Sequence, residues 1–362
     1  MKSFKVSRFW FTYFVIRLCY LFFTFFIYAK LTILGDTERF LNSGLTFSLK
    51  SLYSSTAFMD TIGGGVGYVL GGYNIISNLP FMLISFFVIK WAIDSLSFRR
   101  KINEVFLLFV LSLPNFCIWT SVCSKEIFGL LFSAVLGVLL IHFLSGNYKI
   151  TKKDLFASYL CLLFKPQYYP FIVQALLLIY FLNKPNKSKI YRTRVGGIFL
   201  ITNLFVLYLI KDIVNEYADI ISMHFMSFDG ASNRNEDIWL CNNDFFRKAP
   251  IGMFIAFFGP TLNEMLTKFT HFLAGIESLV IIGIFFWMSK NIFFRFLATW
   301  RINLLISFPY FIVITGICFL HYPFGIFNSG SAIRYRTNFI FLFILLFLYL
   351  YSYYGKNRIA NK

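Results

Sequence analysis

The residues with the plainest chemical capacity stand just before the last apolar run: Asn328-Ser-Gly-Ser-Ala-Ile-Arg334-Tyr-Arg336, ahead of Phe339–Tyr351. A guanidinium is charged at any physiological pH and offers a planar fork of donors that matches phosphate or carboxylate oxygens. Ser329 and Ser331 are N-cap residue types, and a helix N-terminus itself favours an anion. The stretch therefore reads as an anion clamp at one face of a bilayer. The competing reading is that both arginines anchor a helix end among lipid headgroups.

A second group follows the first apolar run, in Gly35-Asp36-Thr-Glu38-Arg39-Phe40. Asp36 either engages an acceptor hydroxyl or caps a following helix. Glu38 and Arg39 bind substrate or pair with each other. Lys125-Glu126 is a substrate contact or a tight-turn ion pair, and Arg234 with Glu236 belongs to a lid or a solvated linker. Glu264, after Pro260, binds substrate or caps a helix. Lys165 and Gln167 flank Pro166 inside an apolar stretch, which makes them candidate cavity residues.

These residues need a scaffold, and composition selects its class. The 362 residues are 58% hydrophobic and only 14% charged, which excludes a soluble domain and predicts an all-α, polytopic helical membrane protein. The apolar runs are continuous rather than alternating, against a β-barrel. The 50 Phe residues accompany abundant Ile, Asn and Lys, a codon bias rather than a binding signature. The net charge of +18 is not a nucleic-acid signal, because most of the 34 Lys and Arg fall in short segments on one side. The six cysteines show no CxxC and read as small buried hydrophobes, and the four histidines are scattered. No metal and no cofactor is expected.

Basic clusters at Lys2/Lys5/Arg8, Arg99–Lys101, Lys149–Lys153, Lys184–Arg194, Lys290–Arg301 and Lys356–Lys362 define the inner side. The apolar pattern predicts a first span over 9–34, a first outer loop over 35–72, and spans near 75–96, 105–122 (kinked at Pro114) and 127–144. The stretch 155–182 has basic segments on both sides, so it is expected as a short broken hairpin about Lys165-Pro-Gln167. A span over 195–210 leads to a long outer loop, 211–268, with a re-entrant or interfacial helix. Spans near 269–288 and 302–320 and the final run complete about ten membrane segments. Both termini are then cytoplasmic, and residues 1–362 form a single integral membrane domain. Gly67 and Gly71 have the spacing of close helix packing. Asp36, Glu38, Arg39, Lys125, Glu126, Lys165, Gln167, Arg234, Glu236, Glu264, Arg334 and Arg336 all fall on the outer side, as the lining of an anion-binding cavity.

The Gly35-Asp36-x-x-x-Phe40 segment resembles the first-loop motif of GT-C-type membrane glycosyltransferases. Ser124-Lys125-Glu126, Lys165-Pro-Gln167, Phe258-Gly-Pro260 with Glu264, and Arg334-Tyr-Arg336 resemble patterns in Wzy-type repeat-unit polymerases and their GT-C-like relatives. The resemblance implies polymerisation of undecaprenyl-pyrophosphate-linked oligosaccharide repeat units at the outer face of a bacterial inner membrane, as in O-antigen or capsule assembly. It implies that Arg334 and Arg336, with Lys125, stabilise the departing pyrophosphate, and that Asp36 engages the acceptor hydroxyl. Its implied partners are the lipid-linked oligosaccharide, the bilayer and a chain-length regulator protein, with no nucleic acid. The alternatives are a GT-C enzyme with a polyprenyl-phosphate sugar donor, an O-antigen ligase, and a lipid-oligosaccharide flippase or other transporter. Gathering of polar groups on one face, with no internal repeat, favours an enzyme over a transporter.

Overall fold

The computed structural model describes residues 7–184, 188–226, 234, 238–267, 269–299 and 303–356. Lys2, Lys5, Glu236, Arg301, Arg358 and Lys362 lie outside the described residues. Among the described residues there is no strand. In chain order the helices are α1 (Arg8–Leu31, with a π turn at Thr24–Tyr28), α2 (Thr37–Leu41), α3 (Ser55–Leu70), α4 (Ile75–Ser95), α5 (Glu104–Leu111), α6 (Pro114–Trp119), α7 (Lys125–Leu144) and α8 (Lys152–Phe164). They continue as α9 (Tyr169–Leu182), α10 (Lys189–Leu209), α11 (Lys211–Met226), α12 (Asp244–Phe258), α13 (Leu262–Met265), α14 (Phe269–Thr299), α15 (Leu304–Phe327) and α16 (Ser329–Lys356).

Seven of these (α1, α4, α7, α10, α14, α15 and α16) are long and apolar enough to cross a membrane. The shortest, α7, has 20 residues. At 1.5 Å per residue such a helix spans about 30 Å, the thickness of a bilayer's hydrocarbon core. A helix also satisfies its own backbone polar groups, which lipid cannot do. The chain is an all-helical, multi-pass membrane protein.

Two of the expected segments take a broken form. The 155–182 stretch is the pair α8 and α9, bent by 120° about Lys165. Pro166 disfavours the helical conformation at the residue before it, and Lys165 stands at φ −147°, ψ 61°. The two helices have 13 and 14 residues, about 20 Å each, so neither crosses a bilayer alone. The expected kink at Pro114 is a full break. α5 ends at Leu111 and Pro114 opens α6, where its missing N–H removes no helix bond.

Packing groups the chain into two compact units: Met1–Val138 with Ile150–Pro166 and Thr337–Lys362, and Leu139–Lys149 with Gln167–Arg336. In the first unit the 35–72 segment is largely helical. α3 lies against the α2 segment through its glycines, since a Cβ at Gly64 would strike the Gly44 carbonyl and one at Gly67 the Leu41 carbonyl. Gly71 plays another part: at φ 86° it terminates α3 in the left-handed conformation rather than packing. In the second unit α12 packs along α15, with Tyr322 over Gly252 and Gly325 against Ala256. Trp239, Phe245, Tyr322 and Phe327 build an edge-to-face aromatic cluster at one end of that pair.

Candidate functional site

The first unit carries a cleft of about 520 Å³ between α2, residues 42–50 and α3, lined by Arg39, Asn42, Ser43, Thr46, Ser48, Lys50, Ala57, Asp60 and Thr61. α2 starts at Thr37 with Asp36 in the N-cap position, but the Asp36 side chain makes no cap bond. Its carboxylate instead stands 3.6 Å from Arg39 Nε, one helical turn on. Arg39 Nη1 donates to Asp60 Oδ1 at 3.1 Å, and its guanidinium lies 4.6 Å from the centre of the Phe40 ring. Arg39 is about half exposed (48%), so these pairings hold it only weakly and leave its fork open to an incoming anion. Thr46, Ser48 and Lys50 line the cleft, and the neighbouring Leu45, Phe47 and Leu49 are large apolar side chains left exposed.

Lys125, at the start of α7, donates from Nζ to Thr56 Oγ1 at 2.8 Å. Thr56 and Asp60 are four residues apart and share a face of α3, so Lys125 joins the same helix face as Arg39. Glu126 is buried beside it. Glu38 is exposed, and Tyr73 feels it: burial first, then the Glu38 carboxylate, raise the Tyr73 phenol above its ordinary value. Lys165 and Gln167 are half-buried on either side of Pro166, the first belonging to the first unit and the second to the other.

Arg17 is fully buried in the α1 span. It donates to Thr120 Oγ1 at 2.8 Å, to the Thr120 carbonyl at 2.6 Å, and to Ser85 Oγ. Among the described residues no carboxylate pairs with it. Thr120 ends α6, so the guanidinium sits at a helix C-terminus, where the dipole favours a cation.

In the second unit the remaining candidates are already engaged. Arg234 forms a two-pronged pair with Glu264 (Nε–Oε1 2.7 Å, Nη2–Oε2 2.9 Å) and donates from Nη1 to the Gly325 and Ile326 carbonyls at 2.7 and 2.9 Å. Glu264 also closes a capping box with Thr261, accepting its N–H at 2.7 Å. Arg336 is buried. Its Nη1 donates to the Phe257 carbonyl at 2.9 Å and to Ser278 Oγ at 2.8 Å, and Nη2 stands 3.3 Å from Glu277 Oε1. Together with His321, whose Nε2 is 3.1 Å from the Ala256 carbonyl, it satisfies the orphan carbonyls at the end of α12. Arg334 is half-buried and lies on another side of α16, since residues two apart do not face each other. The paired arginine clamp is therefore not formed. Nor do the serines cap α16: Asn328 Oδ1 accepts the Ser331 N–H at 2.9 Å, and Ser329 Oγ is 3.2 Å from His271 Nε2.

Burial works against the Glu264 charge, but the Arg234 bonds and the Thr261 N–H outweigh it and hold the carboxyl below its ordinary value. A group whose proton is bound less tightly in the folded state stabilises the fold above its unfolded pKa. That stability is lost as pH falls below the ordinary glutamate value of about 4.3 and through the lower folded one. Thermal melts of wild type and Glu264→Gln across pH are expected to differ most above that range and to converge as pH falls.

Sequence reasoning passed over two acids that the structure places at the centre of these arrangements. Asp60 is the one charged residue between Lys50 and Lys90, and Glu277 the one in the 269–288 run. A lone ionisable group in an apolar stretch was the available signal for both. Among the described residues no three His, Cys, Asp or Glu side chains converge as a metal ligand set. Compared with protein-family models, curated proteins and solved structures, the chain matches none of them.

Proposed function

We propose that this chain is a membrane glycosyltransferase of the bacterial inner membrane, working at its outer face with both termini cytoplasmic. Its reaction is the polymerisation of polyprenyl-pyrophosphate-linked oligosaccharide repeat units. The observation that carries the reading is the lining of the 520 Å³ cleft: two cations, one carboxylate and a set of hydroxyl and amide groups beside exposed Leu45, Phe47 and Leu49. Hydroxyls and amides suit a glycan, Arg39 and Lys50 suit phosphate oxygens, and the apolar edge suits a lipid chain at the membrane boundary.

In this reaction an acceptor hydroxyl oxygen bonds to the anomeric carbon of the growing glycan as the bond from that carbon to the pyrophosphate oxygen breaks. The leaving group keeps the electron pair, stabilised by Arg39, Lys50 and Lys125, and the hydroxyl proton passes to Asp36. Arg336 has no part, because Glu277 and the end of α12 occupy it. Arg39 shares its charge with Asp36 and Asp60. That leaves less positive charge than a pyrophosphate would use, and it favours a polyprenyl-monophosphate sugar donor as the second reading.

The test is a surface-polysaccharide gel from a deletion strain, with and without the wild-type chain. A ladder that collapses to a single repeat unit supports polymerisation. Loss of all repeat units, with an incomplete lipid-linked intermediate, supports the monophosphate-donor transferase. Complete lipid-linked units stranded on the inner side indicate a flippase, and an unchanged ladder overturns the polysaccharide reading.

A further inference from the structure

The second unit holds a separate cavity of about 320 Å³ between α11 and the turn that leads into α12, with Asn215, Asp219, Trp239, Cys241, Asn242 and Phe245 in its lining. Its chemistry differs from that of the cleft around Arg39. Among the described lining residues Asp219 is the one charged group, and no lysine or arginine is present. An anion would therefore meet a carboxylate with nothing to neutralise it, which excludes phosphate or pyrophosphate as the natural occupant.

What remains is a mixed donor and acceptor set on a rigid frame. Asp244 accepts the Leu240 and Cys241 N–H groups at 3.2 Å each, which closes the turn. Those amides, Arg247 and Lys248 outweigh burial and hold its carboxyl below the ordinary aspartate value, so the turn stays closed at neutral pH. Asn215 Nδ2 then donates to Asn242 Oδ1 at 2.9 Å and Asn243 Oδ1 at 3.0 Å, tying α11 to that turn. This leaves Asn215 Oδ1 as an acceptor and the Asn242 amide hydrogens as donors, with no partner among the described residues. Trp239 is fixed by its Nε1 bond to Tyr322 Oη at 2.7 Å and by edge-to-face contacts with Phe245 and Phe327.

We propose that this cavity is a saccharide-binding subsite for an uncharged, hydroxyl-rich sugar unit. A sugar hydroxyl both donates and accepts, so it pairs equally with the Asn242 amide, the Asn215 carbonyl and the Asp219 carboxylate. The C–H face of a pyranose ring is apolar and can rest on the half-buried Trp239 ring, while Phe245 is buried against Phe319 and Tyr322. Pre-tied polar groups lose little freedom on binding, so a ligand of monosaccharide size is enough to fill the site. That this sugar is part of the transferred glycan rests on the proposed function; the site itself rests on its lining.

The test uses the full chain purified in nanodiscs and does not depend on transfer activity. A panel of neutral mono- and oligosaccharides is screened by saturation-transfer NMR, with inorganic phosphate and pyrophosphate as the anion controls. Cys241, exposed in the lining, supplies a second readout through its rate of reaction with a small water-soluble maleimide in a Cys19→Ser background. The expected result is saturable binding of at least one neutral sugar that also slows Cys241 labelling. Asn242→Ala and Asp219→Asn, both at exposed positions, should each weaken it about three- to tenfold, as loss of a ligand-facing hydrogen bond does. Arg39→Ala should leave it unchanged. No sugar binding, phosphate that slows Cys241 labelling in preference to every sugar, or binding indifferent to both variants would overturn the proposal. If sugar binds here while the polysaccharide ladder is unchanged in the deletion strain, the subsite stands and the transferase reading falls. If the ladder responds and no sugar binds, the reverse holds.

Discussion

Glu277→Ala is expected to destabilise the protein by about 3–5 kcal/mol, the cost of stripping one partner from a buried ion pair. Glu277 and Arg336 are each only 2% exposed, and both lie within membrane-spanning helices. Water cannot replace the lost carboxylate there, so among the described residues the guanidinium is left with the Phe257 carbonyl and Ser278 Oγ to solvate it. Ser278 is itself tied in, its Oγ lying 3.0 Å from the Gly259 and Ala274 carbonyls, so strain at Arg336 spreads to the end of α12. The double variant Glu277→Ala/Arg336→Met should recover much of the loss, because replacing a whole buried pair by apolar groups is often neutral. The Phe257 carbonyl then loses the Arg336 hydrogen bond, a residual cost of about 1 kcal/mol. Thermal and denaturant unfolding in detergent, followed by Trp fluorescence, measures all three. A Glu277→Ala change that costs almost nothing would mean that solvent or an anion reaches Arg336, and would restore it as a phosphate ligand.

The contrast between Arg336 as read and as found shows where sequence stops informing. That 328–336 opens a membrane helix was legible from the apolar run after it, and so was the hairpin, because basic segments flank 155–182 on both sides and Pro166 disfavours helix at Lys165. The joint use of Arg334 and Arg336 was not a sound inference even from the sequence. Residues two apart on a helix are about 200° apart around its axis, so they cannot share one small anion without unwinding. The pairings themselves were out of reach. Arg336 meets Glu277 across 59 residues and Arg234 meets Glu264 across 30, and no local pattern encodes either. Local chemistry did better with Glu264, where Thr261 three residues earlier already spells a capping box. In the first loop the sequence offered Glu38 as the partner of Arg39, and the structure pairs Arg39 with Asp36 and Asp60 instead. Asp36 and Arg39 lie one turn apart on a short helix, and the structure adds Asp60, which α3 carries to them because glycines let its backbone approach the α2 segment.

That arrangement separates two carboxylates that sequence alone would treat alike, and it makes their variants the sharpest probe of the proposed chemistry. Asp60 accepts from Arg39 at 3.1 Å, and its backbone carbonyl accepts from Ser43 Oγ at 2.8 Å; its work is to position the guanidinium. Asp36 stands farther from Arg39, at 3.6 Å, makes no cap bond, and keeps an oxygen for a substrate hydroxyl. If Asp36 takes the acceptor proton, Asp36→Asn should lower the turnover number by about 10²–10⁴, the usual contribution of a general base, with little change in KM. Asp60→Asn should act in the other sense, raising KM for the phosphate-bearing donor as Arg39 loses its alignment, with a smaller fall in turnover. Single-turnover transfer in proteoliposomes from a lipid-linked donor to a soluble acceptor separates the two effects. Wild-type turnover in Asp36→Asn, with transfer abolished by Asp60→Asn, would exchange the roles and make Asp60 the base. Retention of turnover in both variants would leave the cleft without a proton acceptor and would remove the chemical basis of the proposed transfer.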